Sequence, residues 1–311
     1  MEVKTIFITG AGQLGTGIAQ VSIQSGFNTI LRDIDESQVH EAAKAIESQL
    51  ERLVVKEKIQ SQDKTEALTR LVTTTDVSSA GDAEIVIEAV PESLDIKTKV
   101  LCELDSICPE NTIFGSNTSA IPITKLAAVT QRPDRVIGTH FMNPVPVVRE
   151  LEVIRGYLTS DDTFNTIITF AKAMGRDPIT FSRDFAQFRG GEKTVRSATG
   201  MSNEMWKLAN ELMWQVVEGT TTIEEAAQEQ MSTLGIPMSV FAFLDLIGLD
   251  TSLSIQEVIY EEYCQAYLYP HPLLRRLVEA GHLGIKTSVG FFDYSTKPPQ
   301  VSSALVKFLS Q

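Results

Sequence analysis

The residues best placed to do chemistry are His140, Glu152 twelve positions later, and the hydroxyl of Ser119 in the run Ser116-Asn117-Thr118-Ser119. His140 ends a strand-like run, Val136–His140, and opens a loop, Asn143-Pro-Val-Pro, whose prolines and Asn143 fix its path. A return strand over Glu150–Ile154 brings the Glu152 carboxylate back beside the imidazole. Such a carboxylate takes the proton of one ring nitrogen, frees the other as a base, and stabilises the imidazolium that forms. The Ser116–Ser119 run follows another strand, Thr112–Gly115. Polar clusters beyond the carboxyl ends of strands in an open α/β sheet converge on one crevice.

A second constellation supplies a partner for that base. Gly10-Ala11-Gly12-Gln13-Leu14-Gly15 links the β-rich run Val3–Thr9 to a helical pattern reaching Gly26, and Asp33 follows the next strand, Asn28–Leu31. In that context the glycines are a dinucleotide fingerprint. Gly10 makes the tight turn, Gly12 lets the backbone approach a diphosphate, and Gly15 lets helix and strand pack closely. The diphosphate meets the N–H groups of a helix start. Asp33 can accept the ribose hydroxyls and would repel a 2′-phosphate, which favours NAD over NADP. Arg32 beside it is a guanidinium that could tolerate that phosphate, so the choice stays open at this level.

The elements that must hold these groups are legible from periodicity. Strands at Leu71–Thr74, Glu84–Ala89 and Asp177–Thr180 join those above, with helices at about Asp35–Ile59, Ile96–Ile107 and Asp161–Met174. Alternation of this kind implies a parallel sheet with right-handed crossovers. Past about Arg183 only helical patterns remain: Asn203–Glu218, Thr222–Leu234, Val240–Leu246, Leu253–Tyr267 and Pro272–Ala280. The chain therefore reads as α/β, a Rossmann-type, mostly parallel sheet domain over 1–183, then an all-α domain over 184–311.

Composition narrows the classes further. The 311 residues are 43% hydrophobic and 22% charged, as in ordinary globular proteins, which excludes disordered and fibrous chains. Lys and Arg number 27 against 40 Asp and Glu, a formal charge of −13 without a basic stripe. That surface repels nucleic acid and anionic membranes. No segment reaches the ~18 uncharged apolar residues of a membrane helix, and the start lacks a secretory pattern, so the expected location is cytoplasmic. Cys102, Cys108 and Cys264 have neither metal-like spacing nor a disulfide framework.

Beyond these readings the sequence resembles the short-chain L-3-hydroxyacyl-CoA dehydrogenases, 3-hydroxybutyryl-CoA dehydrogenases included. The segments that carry the resemblance are GAGQLGTGIA, IVIEAVPESLDIK, SNTSAIPIT, GTHFMNPVPV and LEVI, then IPMSVFAFLDLIGLDT, HPLLRRLVEAGHLGIKT and GFFDY. The resemblance implies hydride transfer from C3 of an acyl-CoA alcohol to NAD, in either direction. It makes His140 the general base, Glu152 its orienting carboxylate and Ser119 the hydroxyl on the substrate oxygen. It also places Glu92, Lys97, Asn117 and Asn143 beside the cofactor and sets Lys56 where it can reach the CoA. To the helical domain over 184–311 it adds substrate binding and dimerisation, which implies a homodimer paired through that domain.

The resemblance breaks after Asp184. The family's Pro-Gly-Phe element is missing, about eleven residues are extra, and Asn203 falls one position from the asparagine that reaches the family's active site. One helical position turns a side chain by roughly 100°. Arg189, Lys193 and Arg196 there could serve CoA phosphate or simply sit in a solvent loop. Ile285 and Ser288 also replace the usual Arg and Gly. Two alternatives therefore stand beside the main reading: a catalytically impaired NAD-binding homologue, and a dehydrogenase of a hydroxy acid without CoA.

Overall fold

A computed structural model describes residues 3–181, 203–234 and 237–310; the side chains of Asn203 and Leu234 and the whole of 184–202, with Arg189, Lys193 and Arg196, lie outside the described residues. The described residues fall into two compact units, one ending at residue 181 and one beginning at 203.

The first unit alternates strand and helix as β1 (Thr5–Thr9), α1 (Gln13–Gln24), β2 (Asn28–Arg32), α2 (Glu36–Val55), α3 (Ser61–Thr69), β3 (Leu71–Thr74), β4 (Ile85–Glu88), α4 (Leu94–Ile107) and β5 (Ile113–Ser116). It continues with α5 (Ile123–Ala127), β6 (Val136–Phe141), β7 (Glu150–Arg155), α6 (Asp161–Ala173) and β8 (Asp177–Phe181). The sheet order is β3-β2-β1-β4-β5-β6-β7-β8. Ile6, Phe7 and Ile8 in β1 and Ile85, Val86 and Ile87 in β4 have no exposed surface. Such continuous apolar runs mark strands covered on both faces. Val39, Ala42, Ile46 and Leu50 form the buried stripe of α2.

The order reverses between β1 and β4, which places a ligand crevice at their carboxyl ends. Strands β1 to β6 are parallel, as the alternation implies, but β7 runs antiparallel to β6, and β8 is parallel to β7. Loop length explains the reversal. A parallel return needs a crossover of a dozen or more residues, whereas 142–149 is shorter and holds no helix. The helix expected to about Ile59 ends at Val55, where Lys56 is the C-cap and Glu57 takes φ 54°. Helix α3, whose only buried residue is Ala67, gave too little periodicity to be seen.

The second unit contains α7 (Asn203–Val217), α8 (Ile223–Leu234), α9 (Val240–Ile247), α10 (Leu249–Tyr263), α11 (Pro272–Glu279), a small hairpin of β9 (Phe292–Asp293) and β10 (Gln300–Val301), and α12 (Ser303–Leu309). Helix α10 lies four residues earlier than the expected Leu253–Tyr267. Gly248 at φ 102° separates it from α9, and Cys264 in the left-handed region ends it.

Two buried groups in this unit titrate in opposite senses. Asp245 accepts from the N–H groups of Phe291 and Phe292, both at 2.9 Å, and from the Tyr294 hydroxyl at 3.1 Å. Burial pushes it up to about 6, with those donors partly offsetting the rise. His271 caps α11 by accepting from the Leu273 N–H, and burial pushes it down to about 4. From its ordinary 6.5 down to 4, the native state lacks a proton that the unfolded chain binds, so His271 makes stability rise with pH. From 3.8 to 6 the native state keeps the Asp245 proton that the unfolded chain releases, so stability falls with pH. Each effect amounts to about 3 kcal/mol, and they nearly cancel. His271→Asn keeps a capping acceptor without the titration. Urea unfolding should then show the variant losing about 3 kcal/mol relative to the parent between pH 4 and 6.5. Parallel stability curves would contradict the assignment.

Candidate active site

The glycine turn spans the end of β1 and the start of α1. Gly10 has φ 103°, and a Cβ there would lie 2.5 Å from the Ala89 carbonyl oxygen. A Cβ on Gly15 would lie 1.7 Å from the Gly10 oxygen. Gly12 differs. Its φ of −69° suits any residue, and a Cβ would meet nothing within 4 Å. Gly12 is also the N-cap of α1, with no side-chain cap and no acidic residue in the first turn. The chain itself does not require a glycine at 12; a helix N-terminus left open to an anion does. The residues present thus fit the diphosphate of NAD, with Gln13 and Gly12 exposed and Leu14 half-buried around the opening.

Asp33 lies directly after β2, where its Oδ2 accepts from the Ala11 N–H at 2.7 Å and its Oδ1 from the Asp35 N–H at 3.2 Å. It therefore braces the turn. Arg32 is buried, with its Nε donating to the Thr75 carbonyl at 3.3 Å. That bond ties Nε of the guanidinium to the chain's own backbone.

The second constellation is built on β5, β6 and β7. In the antiparallel register His140 stands directly opposite Glu152, so both side chains share one face. His140 Nδ1 lies 2.8 Å from Glu152 Oε2, and Nε2 lies 2.9 Å from Ser119 Oγ. His140 is 5% exposed and Glu152 1%, while Ser119 is half-buried. Since Glu152 can only accept when ionised, Nδ1 carries the proton and Nε2 accepts from Ser119. Asn117 is buried, and its Oδ1 accepts from the Phe141 N–H at 2.7 Å, tying the end of β5 to β6.

The loop after His140 is pinned from two sides. Val145 packs where a Cβ on Gly17 of α1 would come within 2.9 Å of it, and Arg176 donates to the carbonyls of Val145 and Val148, both at 2.9 Å. Asn143 is exposed in this loop. Gly17 continues the glycine motif two positions past Gly15, whereas the role of Arg176 is visible only in the fold.

Glu92 accepts through Oε1 from the Thr118 hydroxyl at 2.6 Å and from the N–H groups of Ser119 and Ala120, both at 2.9 Å. Lys97, expected beside the cofactor, is fully buried next to Glu92. Its side chain has no exposed surface, and its ammonium is enclosed by Glu88 at 2.7 Å, Glu92 at 3.4 Å and the Val90 carbonyl at 3.2 Å. Burial alone would lower Lys97, but the two carboxylates outweigh it and hold it above the usual lysine value. Glu88 was overlooked; an acidic residue closing the apolar run Ile85–Ile87 was its signal. Lys56 is exposed at the C-cap of α2, and the side chain of Asn203, at the first position of α7, lies outside the described residues.

Comparison with known proteins identifies the family. Residues 5–185 match the 3-hydroxyacyl-CoA dehydrogenase NAD binding domain, and residues 203–294 match the 3-hydroxyacyl-CoA dehydrogenase C-terminal domain. A probable 3-hydroxybutyryl-CoA dehydrogenase of Bacillus subtilis is 39% identical over 298 residues, covering 96% of this chain and 99% of that protein. The crystal structure of (S)-3-hydroxybutyryl-CoA dehydrogenase PaaH1 from Ralstonia eutropha superposes with a TM-score of 0.79 at 39% identity, covering 95% of this chain and 100% of that one. FadB2 of M. tuberculosis gives 0.82 at 32% identity, covering 94% and 100%. With a dinucleotide turn that fits NAD and both domain matches in place, the chain belongs to the 3-hydroxyacyl-CoA dehydrogenases, NAD-dependent oxidoreductases of the CH–OH group.

Proposed function

We propose that this chain interconverts short L-3-hydroxyacyl-CoA and 3-oxoacyl-CoA, with 3-hydroxybutyryl-CoA and acetoacetyl-CoA as its pair, and that His140 is the general base oriented by Glu152. The observation that carries this reading is the unbroken line Ser119–His140–Glu152, buried at its carboxylate end and half-open at its hydroxyl end. NAD, when bound, supplies the acceptor for the hydride that leaves C3.

In oxidation, His140 Nε2 takes the proton of the C3 hydroxyl as that oxygen becomes a carbonyl, and Glu152 stabilises the resulting imidazolium through Nδ1–H. In reduction, the imidazolium returns the proton to the oxygen. Ser119 carries one donor and two lone pairs, so it can leave Nε2 and bond the substrate oxygen beside it. Two donors aimed at that oxygen stabilise charge that develops only in the transition state. The motif Gly10, Gly12, Gln13, Leu14, Gly15 with Asp33 holds the coenzyme; Asn117, Asn143, Glu92 and Lys97 border it; Lys56 is assigned to CoA and Asn203 to catalysis.

The same reading assigns 1–183 to the cofactor and 184–311 to substrate and dimerisation. It makes the protein a cytoplasmic homodimer with no nucleic-acid or membrane partner. Exposed Trp214, Leu246, Val306 and Phe308 in the second unit support the pairing, and among the described residues no helix is long and apolar enough to cross a membrane.

Acetoacetyl-CoA should oxidise NADH, with NADPH far slower and long-chain 3-oxoacyl-CoA thioesters turned over less efficiently. The nicotinamide absorbance follows each reaction. NADH binding with no turnover of any acyl-CoA would favour the impaired homologue, and turnover of a free hydroxy acid in their place would favour a substrate without CoA.

A further inference from the structure

We propose that Glu92 is a positioning residue for Ser119, set in place by the buried pair Lys97 and Glu88 through the Thr118–Ala120 turn; the inference rests on the reading above, in which Ser119 and His140 handle the substrate oxygen. The turn after β5 has no helix or strand of its own at 117–120. What shapes it is the Glu92 carboxylate, whose Oε1 receives three donors from it: the Thr118 hydroxyl and the Ser119 and Ala120 N–H groups. The Thr118 Oγ1 in turn accepts from the Ile121 N–H at 2.9 Å. With its own N–H held, Ser119 has a single side-chain torsion left to place Oγ, and it meets His140 Nε2 at 2.9 Å.

Glu92 is itself held. Lys97 on α4 reaches Glu92 Oε2, and the same ammonium is anchored by Glu88 at the end of β4. Glu88 Oε1 also accepts from the Val90 N–H at 2.8 Å, and Oε2 from the Ser116 hydroxyl at 2.6 Å. Glu88 and Ser116 are neighbours across β4 and β5, so the chain of bonds begins in the rigid sheet. It runs from the sheet through an ion pair with no exposed surface to the turn that aims the hydroxyl. Breaking a buried ion pair on one side is far more costly than its net contribution, so this geometry has few alternatives. Displacements of about 1 Å at such a group can cost on the order of 100-fold in rate.

The test is a double-mutant cycle on kcat for acetoacetyl-CoA reduction, with NADH affinity measured separately by fluorescence quenching. Glu92→Ala should lower kcat at saturating NADH roughly 10- to 100-fold, whatever its effect on NADH affinity. Glu92→Ala/Ser119→Ala should be no slower than Ser119→Ala alone, because residues acting through one group are not additive. Thr118→Val, which leaves every charge paired, should give a smaller loss of about three- to ten-fold that Thr118→Ser restores. This pair decides by the same cycle should Glu92→Ala not fold. In the protein without substrate, both Glu92→Ala and Thr118→Val should also shift the His140 Nε2 resonance, as its bond to Ser119 loosens. Multiplicative losses in the cycle, or a loss confined to NADH affinity, would overturn the proposal and leave the His140 reading standing. Ser119→Ala at the parent rate would overturn both.

Discussion

His140→Gln should reduce kcat for acetoacetyl-CoA by roughly 10²- to 10⁴-fold, the usual contribution of a positioned acid–base group, with NADH affinity unchanged. Glutamine is the informative replacement. Glu152 is 1% exposed, and its Oε1 already has no hydrogen-bond partner. Truncation to alanine would leave Oε2 unpaired as well, and stranding a buried acceptor costs about 1–3 kcal/mol. A loss of activity in His140→Ala would therefore mix chemistry with stability. A glutamine amide can still donate to Glu152, yet it cannot accept and release a proton near neutral pH. Steady-state rates beside a thermal melt separate the two effects. Parent-like turnover in a folded His140→Gln variant would remove the imidazole from the mechanism.

Much of this site was legible because its determinants are local or nearly so. The glycine turn is encoded in six consecutive positions between a strand and a helix. The pairing of His140 with Glu152 follows from a short, proline-bearing loop that forces the next strand back in antiparallel register. What the sequence hid is non-local. The resemblance alone placed Lys97 beside the cofactor, and only the fold shows its ammonium sealed between two carboxylates. Arg176 lies 31 residues from the Val145 carbonyl it holds, and no periodicity links them. In the helical unit, boundaries moved where a glycine or a left-handed residue acted as a terminator inside an otherwise continuous apolar pattern, at Gly248 and Cys264. Asn203 marks a different case: its offset from the family position is a fact of the chain, and its side chain lies outside the described residues.

Gly12→Val separates fold from cofactor more sharply than any other change in the turn. Gly15→Ala would drive a Cβ to 1.7 Å from a backbone oxygen, so loss of function there reports only collapse of the turn. At Gly12 the backbone is extended and the space beyond it holds no protein atom within 4 Å. A valine is accommodated at that φ, so the melting temperature should stay near the parent value. Its methyl groups would project over the start of α1, where a diphosphate must approach the helix N–H groups. Overpacking a fitted contact typically costs 1–3 kcal/mol, which corresponds to a loss of roughly 10- to 100-fold in NADH affinity. Calorimetric titration with NADH measures it directly. An unaltered dissociation constant in a folded Gly12→Val variant would mean that the coenzyme does not lie across the N-terminus of α1. The hydride acceptor could then not be assigned to the crevice that His140 faces, however well the imidazole and its carboxylate are aligned.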